Sequence, residues 1–156
     1  MTRFSASTDS EATVAADRQA IWAALTDPDV LPRLTPLLRH IEADGTLWRW
    51  ELTRLQVLGI GIRPSFTERM HFDPPGWIEY HHEPPAGRHE FTAAEGWYEL
   101  TEVEGGTHLR IELTLTVDLP LARAARPAVQ RVMRTVMART GERFADNLLT
   151  HLGVPH

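Results

Sequence analysis

The chain has 156 residues, of which 42% are hydrophobic and 24% are charged, as is typical of one folded globular domain spanning residues 1–156. It has no cysteine and all 16 basic residues are arginine, which excludes disulfides, thiolate metal sites, lysine-based catalysis and the P-loop lysine. The formal charge of −5 argues against nucleic-acid binding, and no apolar run approaches the ~20 residues that cross a membrane.

The first predicted elements are one strand and two short helices. Residues 4–16 mix small and β-branched types, with an alternation that is typical of a strand. Asp17 is a suitable N-cap for a helix that contains residues 20–25, because its carboxylate can accept from the free amides of the first turn. A second short helix is predicted over residues 28–34, where proline in the first turn is well tolerated.

The middle of the chain alternates predicted strands with turns rich in proline and glycine. The predicted strands are residues 47–56, 60–72, 77–83, 89–103 and 108–119. In the last one, apolar residues occupy one face and polar or charged residues the other, which predicts that one face is buried and the other is exposed to solvent. With the first strand this predicts an antiparallel sheet of six to seven strands.

After Pro120 the apolar period changes from two to about 3.6, which predicts a long helix over residues 127–152 that ends at Gly153. From Leu121 onward the chain has six arginines and two acidic residues, so the remainder carries ten arginines and nineteen acidic residues. We interpret the basic segment as a solvated helix face on an acidic sheet, with a surface for a regulatory protein partner as an alternative.

These elements predict an α+β fold in which a curved antiparallel sheet wraps around the long C-terminal helix, with two short helices after the first strand. On the assumed strand parity, several large side chains line the space between sheet and helix. They are Trp48, Trp50, Phe66, Met70, Tyr80, Phe91 and Trp97 from the sheet, with Val136 and Met137 from the helix. Such residues form an ordinary core more often than a pocket, so the pattern alone leaves both interpretations open.

The segment Ile21-Trp22-x-x-Leu25-Thr26-Asp27-Pro28, the following Leu31-Pro32-Arg33, the Gly105-Gly106-Thr107 turn and the closing amphipathic helix carry a resemblance over nearly the whole chain. In this order they resemble the SRPBCC, or START-like, superfamily, and more narrowly its polyketide cyclase/dehydrase and lipid-transport branch. The resemblance implies a helix-grip fold with a deep hydrophobic cavity. It implies no particular reaction, because the superfamily includes carriers, cyclases and hormone binders.

Two polar residues are predicted to share the inner face with apolar neighbours. If Phe66 and Met70 face inward, so does Glu68, and Tyr80 brings His82 with it in the same way. Burial would raise the pKa of the carboxyl and lower that of the imidazole, as general acid–base catalysis at a ketone requires. The alternative is structural: Glu68 pairs with an arginine and His82 simply ends a strand.

No cofactor and no metal is predicted. His81, His82 and His89 lie near several glutamates, but adjacent strand residues point to opposite faces and no ligand spacing is recognisable. The Gly59-Ile60-Gly61 segment lacks the third glycine and the helix of a dinucleotide-binding loop.

We therefore rank first a cytoplasmic protein that binds or transports a small hydrophobic molecule, without nucleic-acid binding or stable membrane insertion. A cyclase or dehydratase is the first alternative and a regulatory interaction module the second. The protein is expected to be a monomer or homodimer, and the sequence does not choose between the two.

Overall fold

The computed structural model describes all 156 residues and contains nine strands, three α-helices and one short 3-10 turn. The strands are β1 (Thr2–Val14), β2 (Leu38–Asp44), β3 (Leu47–Leu52), β4 (Leu55–Val57), β5 (Ile60–Ile62), β6 (Ser65–Asp73), β7 (Trp77–His82), β8 (Thr92–Val103) and β9 (Gly106–Leu119). The helices are α1 (Arg18–Leu25), α2 (Leu31–Leu34) and α3 (Arg126–Leu152). The predicted α+β class, the two short helices after the first strand and the long C-terminal helix are confirmed.

Seven strands form one antiparallel sheet in the order β1-β9-β8-β7-β6-β3-β2. Strands β1 and β9 pair along their whole shared length, from Thr2 opposite Leu119 to Val14 opposite Thr107. Strands β4 and β5 pair only with each other and form a separate hairpin between β3 and β6. The sheet therefore has the predicted number of strands, with β1 and β2 at its edges.

Local signals in the sequence fix the helix ends. The Asp17 carboxylate accepts a 3.4 Å hydrogen bond from the Gln19 amide and caps α1. Gly153 ends α3 with a φ of 69°, a left-handed conformation that glycine adopts without steric cost. Because both signals are short-range, the sequence predicted them correctly.

Helix α3 is one continuous element whose two halves pack on different parts of the molecule. Its N-terminal half contributes Val129, Met133 and Met137 to one buried apolar cluster, together with residues of β1, β4 and β9. Its C-terminal half contributes Phe144 and Leu148 to a larger cluster with α1, α2 and most of the sheet. The apolar interior is thus divided in two along the helix.

Three elements differ from the sequence-based prediction. Strand β2 is not predicted, because only Leu38 and Ile41 of it are buried and the rest of its side chains are exposed. The strands predicted over residues 47–56 and 60–72 are each two strands, because the chain leaves the main sheet after β3, forms the β4–β5 hairpin, and returns to the sheet at β6 after Arg63 and Pro64. No helix of the structure is both long enough and apolar enough to cross a bilayer.

Candidate ligand-binding site

The two apolar clusters under α3 are joined along β9 by side chains that are only partly buried. Along β9, Leu109 and Val117 are each only 6% exposed. The inward-facing residues between them, Ile111, Leu113 and Leu115, all keep a substantial part of their surface accessible. The middle of this strand is thus less deeply buried than its two ends, and it is the part of the sheet that lies between the two clusters.

Helix α3 carries two small residues where its two halves meet. Met137 belongs to the cluster of the N-terminal half and Phe144 to that of the C-terminal half. By helical periodicity the residues between them that face the sheet are Thr140 and Gly141, and Thr140 is only partly buried. Gly141 is exposed, and a Cβ added to it would meet no atom within 4 Å.

Aromatic rings from the sheet and α1 form a continuous wall on one side of the interior. Trp48 lies 6.0 Å from Trp50 and 5.8 Å from Phe72, measured between ring centroids. Trp50 stacks on Phe66 at 6.4 Å, and Trp22 of α1 meets Phe72 edge-on at 6.3 Å. The predicted inward orientation of Trp48, Trp50 and Phe66 agrees with this wall, in which Trp48 and Phe66 are almost fully buried.

Glu68 of β6 is the most unusual residue of the interior. It is 1% exposed, and neither carboxyl oxygen has a hydrogen-bond partner within the chain. Burial raises the pKa of Glu68 well above its ordinary value, and the negative charges of Glu95 and Glu90 raise it further. Burial therefore favours the neutral form of the carboxyl, and a neutral carboxyl can donate one hydrogen bond and accept others.

A second unpartnered polar atom occupies the neighbouring strand on the same face. Trp50 Nε1 is buried and donates to no atom of the protein. In the register of β3 with β6, Trp48 lies opposite Glu68 and Trp50 opposite Phe66. Leaving a buried polar group without a partner costs about 1–3 kcal/mol, so both groups are poised to receive a partner that the chain does not supply.

Two tyrosines lie beside this carboxyl. The rings of Tyr80 on β7 and Tyr98 on β8 are 5.8 Å apart, and burial raises the pKa of both phenols, with a further contribution from Glu68. A Cβ added to Gly96 would lie 2.8 Å from the Tyr80 hydroxyl and 2.1 Å from the Glu112 carbonyl oxygen. The absence of a side chain at Gly96 makes room for the Tyr80 hydroxyl.

His82 lies opposite Glu68 across β6 and β7, but its ring is committed elsewhere. His82 Nε2 is 2.9 Å from a Glu90 carboxylate oxygen, and no hydrogen bond joins it to Glu68. Glu90 also accepts 2.8 Å hydrogen bonds from the amide and the hydroxyl of Thr67. Burial would raise the pKa of Glu90, yet these hydrogen bonds and the His82 interaction hold it below its ordinary value.

The Glu90 carboxylate also explains how the sheet tolerates the end of β7. That strand stops at His82, which leaves the Thr67 amide of β6 without a strand partner. The buried carboxylate, reaching in from the loop between β7 and β8, takes the place of a strand carbonyl there. His82 lies at the end of β7, the position that the structural alternative gave it, whereas no arginine pairs with Glu68.

Two of the predicted lining residues are wrong. Phe91 precedes β8, is 50% exposed and packs edge-on against His89. Trp97 lies on the outer face of the sheet, where it stacks on Trp77 at 5.0 Å and lies under the Arg110 guanidinium. The prediction placed the odd-numbered residues of segment 89–103 on the inner face of the sheet, and these residues lie on the outer face.

The pairing with β9 shows which parity is correct. Tyr98 lies opposite Ile111 and Leu100 opposite Leu109, so the even-numbered residues of β8 face inward. The sequence contains this signal, because the odd-numbered positions Glu95, Glu99 and Thr101 are polar. Tyr98 was missed for this reason, and Thr67 and Glu90 because their contact joins a strand to a distant loop residue.

The other predicted residues are distributed as follows. Met70 and Tyr80 are buried in the larger cluster and Met137 in the smaller one. Val136 is partly buried and belongs to neither cluster. The histidines considered for a metal are spread out: His81 contacts Glu79 on the outer face, and His89 lies 3.5 Å from Asp118.

A sequence model described as polyketide cyclase / dehydrase and lipid transport matches residues 2–153. No curated protein matches the chain in sequence. Among solved structures, a protein from Thermus thermophilus superimposes with a TM-score of 0.70 at 14% identity, covering 94% of this chain and 97% of the other. The Zhui aromatase/cyclase from a Streptomyces species superimposes with a TM-score of 0.66 at 16% identity, covering 96% and 94%. At these identities the structural likeness establishes the helix-grip fold.

Proposed function

Because this chain belongs to the polyketide cyclase/dehydrase and lipid transport family, we propose that it binds a small hydrophobic molecule between its sheet and α3. The observation that carries the proposal is Glu68, a fully buried carboxyl whose two oxygens have no partner in the protein. A protein gains nothing in stability from such a group, so its presence is best explained by a ligand that completes its hydrogen bonds.

The chemistry of the site defines the ligand class. A neutral carboxyl donates one hydrogen bond and accepts others, and Trp50 Nε1 donates one. A hydroxyl or carbonyl group at one end of the ligand can meet both residues. The aromatic wall formed by Trp48, Trp50 and Phe66 favours a flat or ring-containing apolar body, whose burial supplies most of the affinity.

Binding of naphthol, compared with naphthalene, tests this proposal because the two probes differ only in the hydroxyl. We expect isothermal titration calorimetry to show about tenfold tighter binding of naphthol, which corresponds to one hydrogen bond made by an otherwise unsatisfied buried group. Substitution of Glu68→Leu should remove this preference while naphthalene still binds.

The matched control is Glu112→Leu, since Glu112 is exposed on β9 and forms no ion pair. It should leave both affinities unchanged. Equal affinity of the unsubstituted protein for the two probes, or a preference for naphthol that survives Glu68→Leu, contradicts the proposal. Native mass spectrometry of the purified protein should in addition detect a bound small molecule that is lost on denaturation.

The raised pKa of Glu68 favours a second candidate, an enzyme of the cyclase or dehydratase type. A carboxyl kept neutral by burial can protonate a leaving hydroxyl or a developing enolate. One structural neighbour is described as an aromatase/cyclase, which supports this candidate by analogy of fold.

The two candidates are separated by Glu68→Gln, because the amide keeps hydrogen-bonding capacity but cannot supply the proton. An enzyme should lose the dehydration of a β-hydroxyketone and still bind naphthol. Dehydration that persists in this variant excludes Glu68 as the acid. His82→Ala tests the partner that the sequence predicted, and it should have little effect on turnover because the His82 ring contacts Glu90.

A further inference from the structure

The arginines of this protein fall into two groups. Six of the 16 form ion pairs with acidic side chains, and ten form none. Eight of these ten belong to the 54–63 segment, which contains the β4–β5 hairpin, or to the 123–143 segment of α3 and the turn before it. We call these eight the basic face: Arg54, Arg63, Arg123, Arg126, Arg131, Arg134, Arg139 and Arg143, all of them exposed.

Most of the basic face lacks compensating charge in the sequence as well. No acidic residue occurs between Glu51 and Glu68, or between Asp118 and Glu142, so only Arg143 of the eight arginines has an acidic neighbour in the sequence. The two segments meet in the structure, because Val57 of β4 lies in the same buried cluster as Val129 and Met133 of α3. Unpaired positive charge is therefore concentrated on adjoining parts of a protein whose net charge is −5.

The tip of the hairpin adds an apolar feature that folding does not explain. Val57 pairs with Ile60, so the turn consists of Leu58 and Gly59, which have φ values of 50° and 82°. Such two-residue turns strongly favour Asn or Asp before glycine. Leu58 instead combines a strained left-handed backbone with a side chain that is 47% exposed.

Helix α3 adds a place where an anionic group can be held. A shallow depression of about 480 Å³ lies on its exposed side. It is lined by Arg126, Pro127, Gln130, Arg131, Arg134 and Thr135. Guanidinium groups bind phosphate oxygens through paired hydrogen bonds, so this lining fits a phosphate headgroup.

We propose that the basic face and Leu58 form a docking surface for an anionic phospholipid bilayer. This surface carries eight arginines and, at the tip of the hairpin, a single exposed leucine, so it has no apolar patch of the kind that forms the core of a protein–protein interface. A fluid anionic surface matches that composition, since arginines attract the headgroups while the leucine enters the interfacial region. This is surface binding and needs no membrane-spanning segment.

The proposal does not depend on the proposed function. Docking uses exterior residues, whereas ligand binding uses Glu68 and the aromatic wall. Failure of vesicle binding leaves naphthol binding untouched, and failure of naphthol binding leaves docking untouched. If both hold, the bilayer is a source or acceptor of the interior ligand.

Vesicle co-sedimentation of the full chain tests the proposal. We expect binding to vesicles of equal parts phosphatidylglycerol and phosphatidylcholine, no binding to phosphatidylcholine alone, and loss of binding at high salt. Each arginine near an anionic surface contributes about fivefold in affinity, so Arg54→Glu with Arg63→Glu should weaken binding at least about 25-fold.

The matched control for charge is Arg33→Glu with Arg39→Glu. Both residues are exposed, form no ion pair and lie in other parts of the fold, Arg33 on α2 and Arg39 on β2. The net charge changes by the same amount, so only a specific surface distinguishes the two double variants. Equal loss of vesicle binding in both overturns the proposal.

The substitution Leu58→Asn distinguishes an effect on vesicle binding from an effect on the stability of the fold. Asparagine suits the turn better than leucine, so the thermal unfolding temperature should stay the same or rise. Vesicle binding should nevertheless fall by about tenfold, because one apolar side chain no longer enters the bilayer. Unchanged vesicle binding in this variant, or equally tight binding of the original protein to short duplex DNA, overturns the proposal.

Discussion

Substitution of Glu68→Gln should make this protein more stable, and the gain should grow with pH. In the folded state the carboxyl lies in an apolar interior with no hydrogen-bond partner, and burial raises its pKa well above the ordinary value of 4.5. In the unfolded state it ionises in water at that ordinary value. Above that pH, the folded protein therefore binds a proton on Glu68 that the unfolded chain has released.

The sign and size of the effect follow from proton linkage. Between the unfolded pKa and the raised folded pKa, the native state holds one more proton than the unfolded state, so the free energy of unfolding falls as pH rises. The slope is about 1.4 kcal/mol per pH unit for one proton. Glutamine does not titrate and should remove this slope, leaving the two proteins similar in stability below pH 4.5.

Urea unfolding of both proteins over a series of pH values measures the difference directly. The pH at which the difference stops growing gives the pKa of Glu68 in the folded protein. Glu112→Gln is the control, because Glu112 is exposed and should give a difference independent of pH. A Glu68→Gln difference that is equally flat would show that Glu68 is ionised and solvated, which would remove the basis of the ligand proposal.

Four other substitutions probe neighbouring parts of the structure. Glu90→Gln should destabilise the protein by about 2 kcal/mol at neutral pH, measured by the same urea unfolding series. The loss of stability should shrink as the pH falls through the lowered pKa of Glu90, which is the opposite of the trend expected for Glu68→Gln. Gly96→Ala should cost about 3 kcal/mol in urea unfolding, because the new Cβ would lie 2.1 Å from a carbonyl oxygen. Trp97→Phe should leave the calorimetric affinity for naphthol unchanged, whereas Trp50→Phe, which removes the unpartnered donor, should weaken it about fivefold.

The sequence predicted the elements whose signals are local. The Asp17 cap, the glycine stop of α3 and the alternation of β9 each depend on neighbouring residues, and all three agree with the structure. The inward orientation of Glu68 was also predicted, since it follows from alternation within β6 alone. What alternation could not provide was the partner of each side chain.

The errors arose where orientation depends on pairing between strands. The aromatic residues alone do not decide whether Trp97 or Tyr98 faces inward, because β8 carries one large aromatic residue on each of its two faces. The register with β9 puts Trp97 outside, opposite Glu112. The Glu90 carboxylate could not be predicted either, because its contact with Thr67 joins residues 23 positions apart and depends on where β7 ends.

The isolation of the β4–β5 hairpin from the main sheet bears on how a guest molecule would reach the interior. Its strands bond to each other and to no strand of the seven-stranded ladder. Side-chain packing of Val57, Ile60 and Ile62 holds the hairpin against the cluster beneath α3. We therefore expect the hairpin to separate from the interior at a lower free energy than any strand of the main sheet, and amide hydrogen exchange of β4 and β5 should be correspondingly faster.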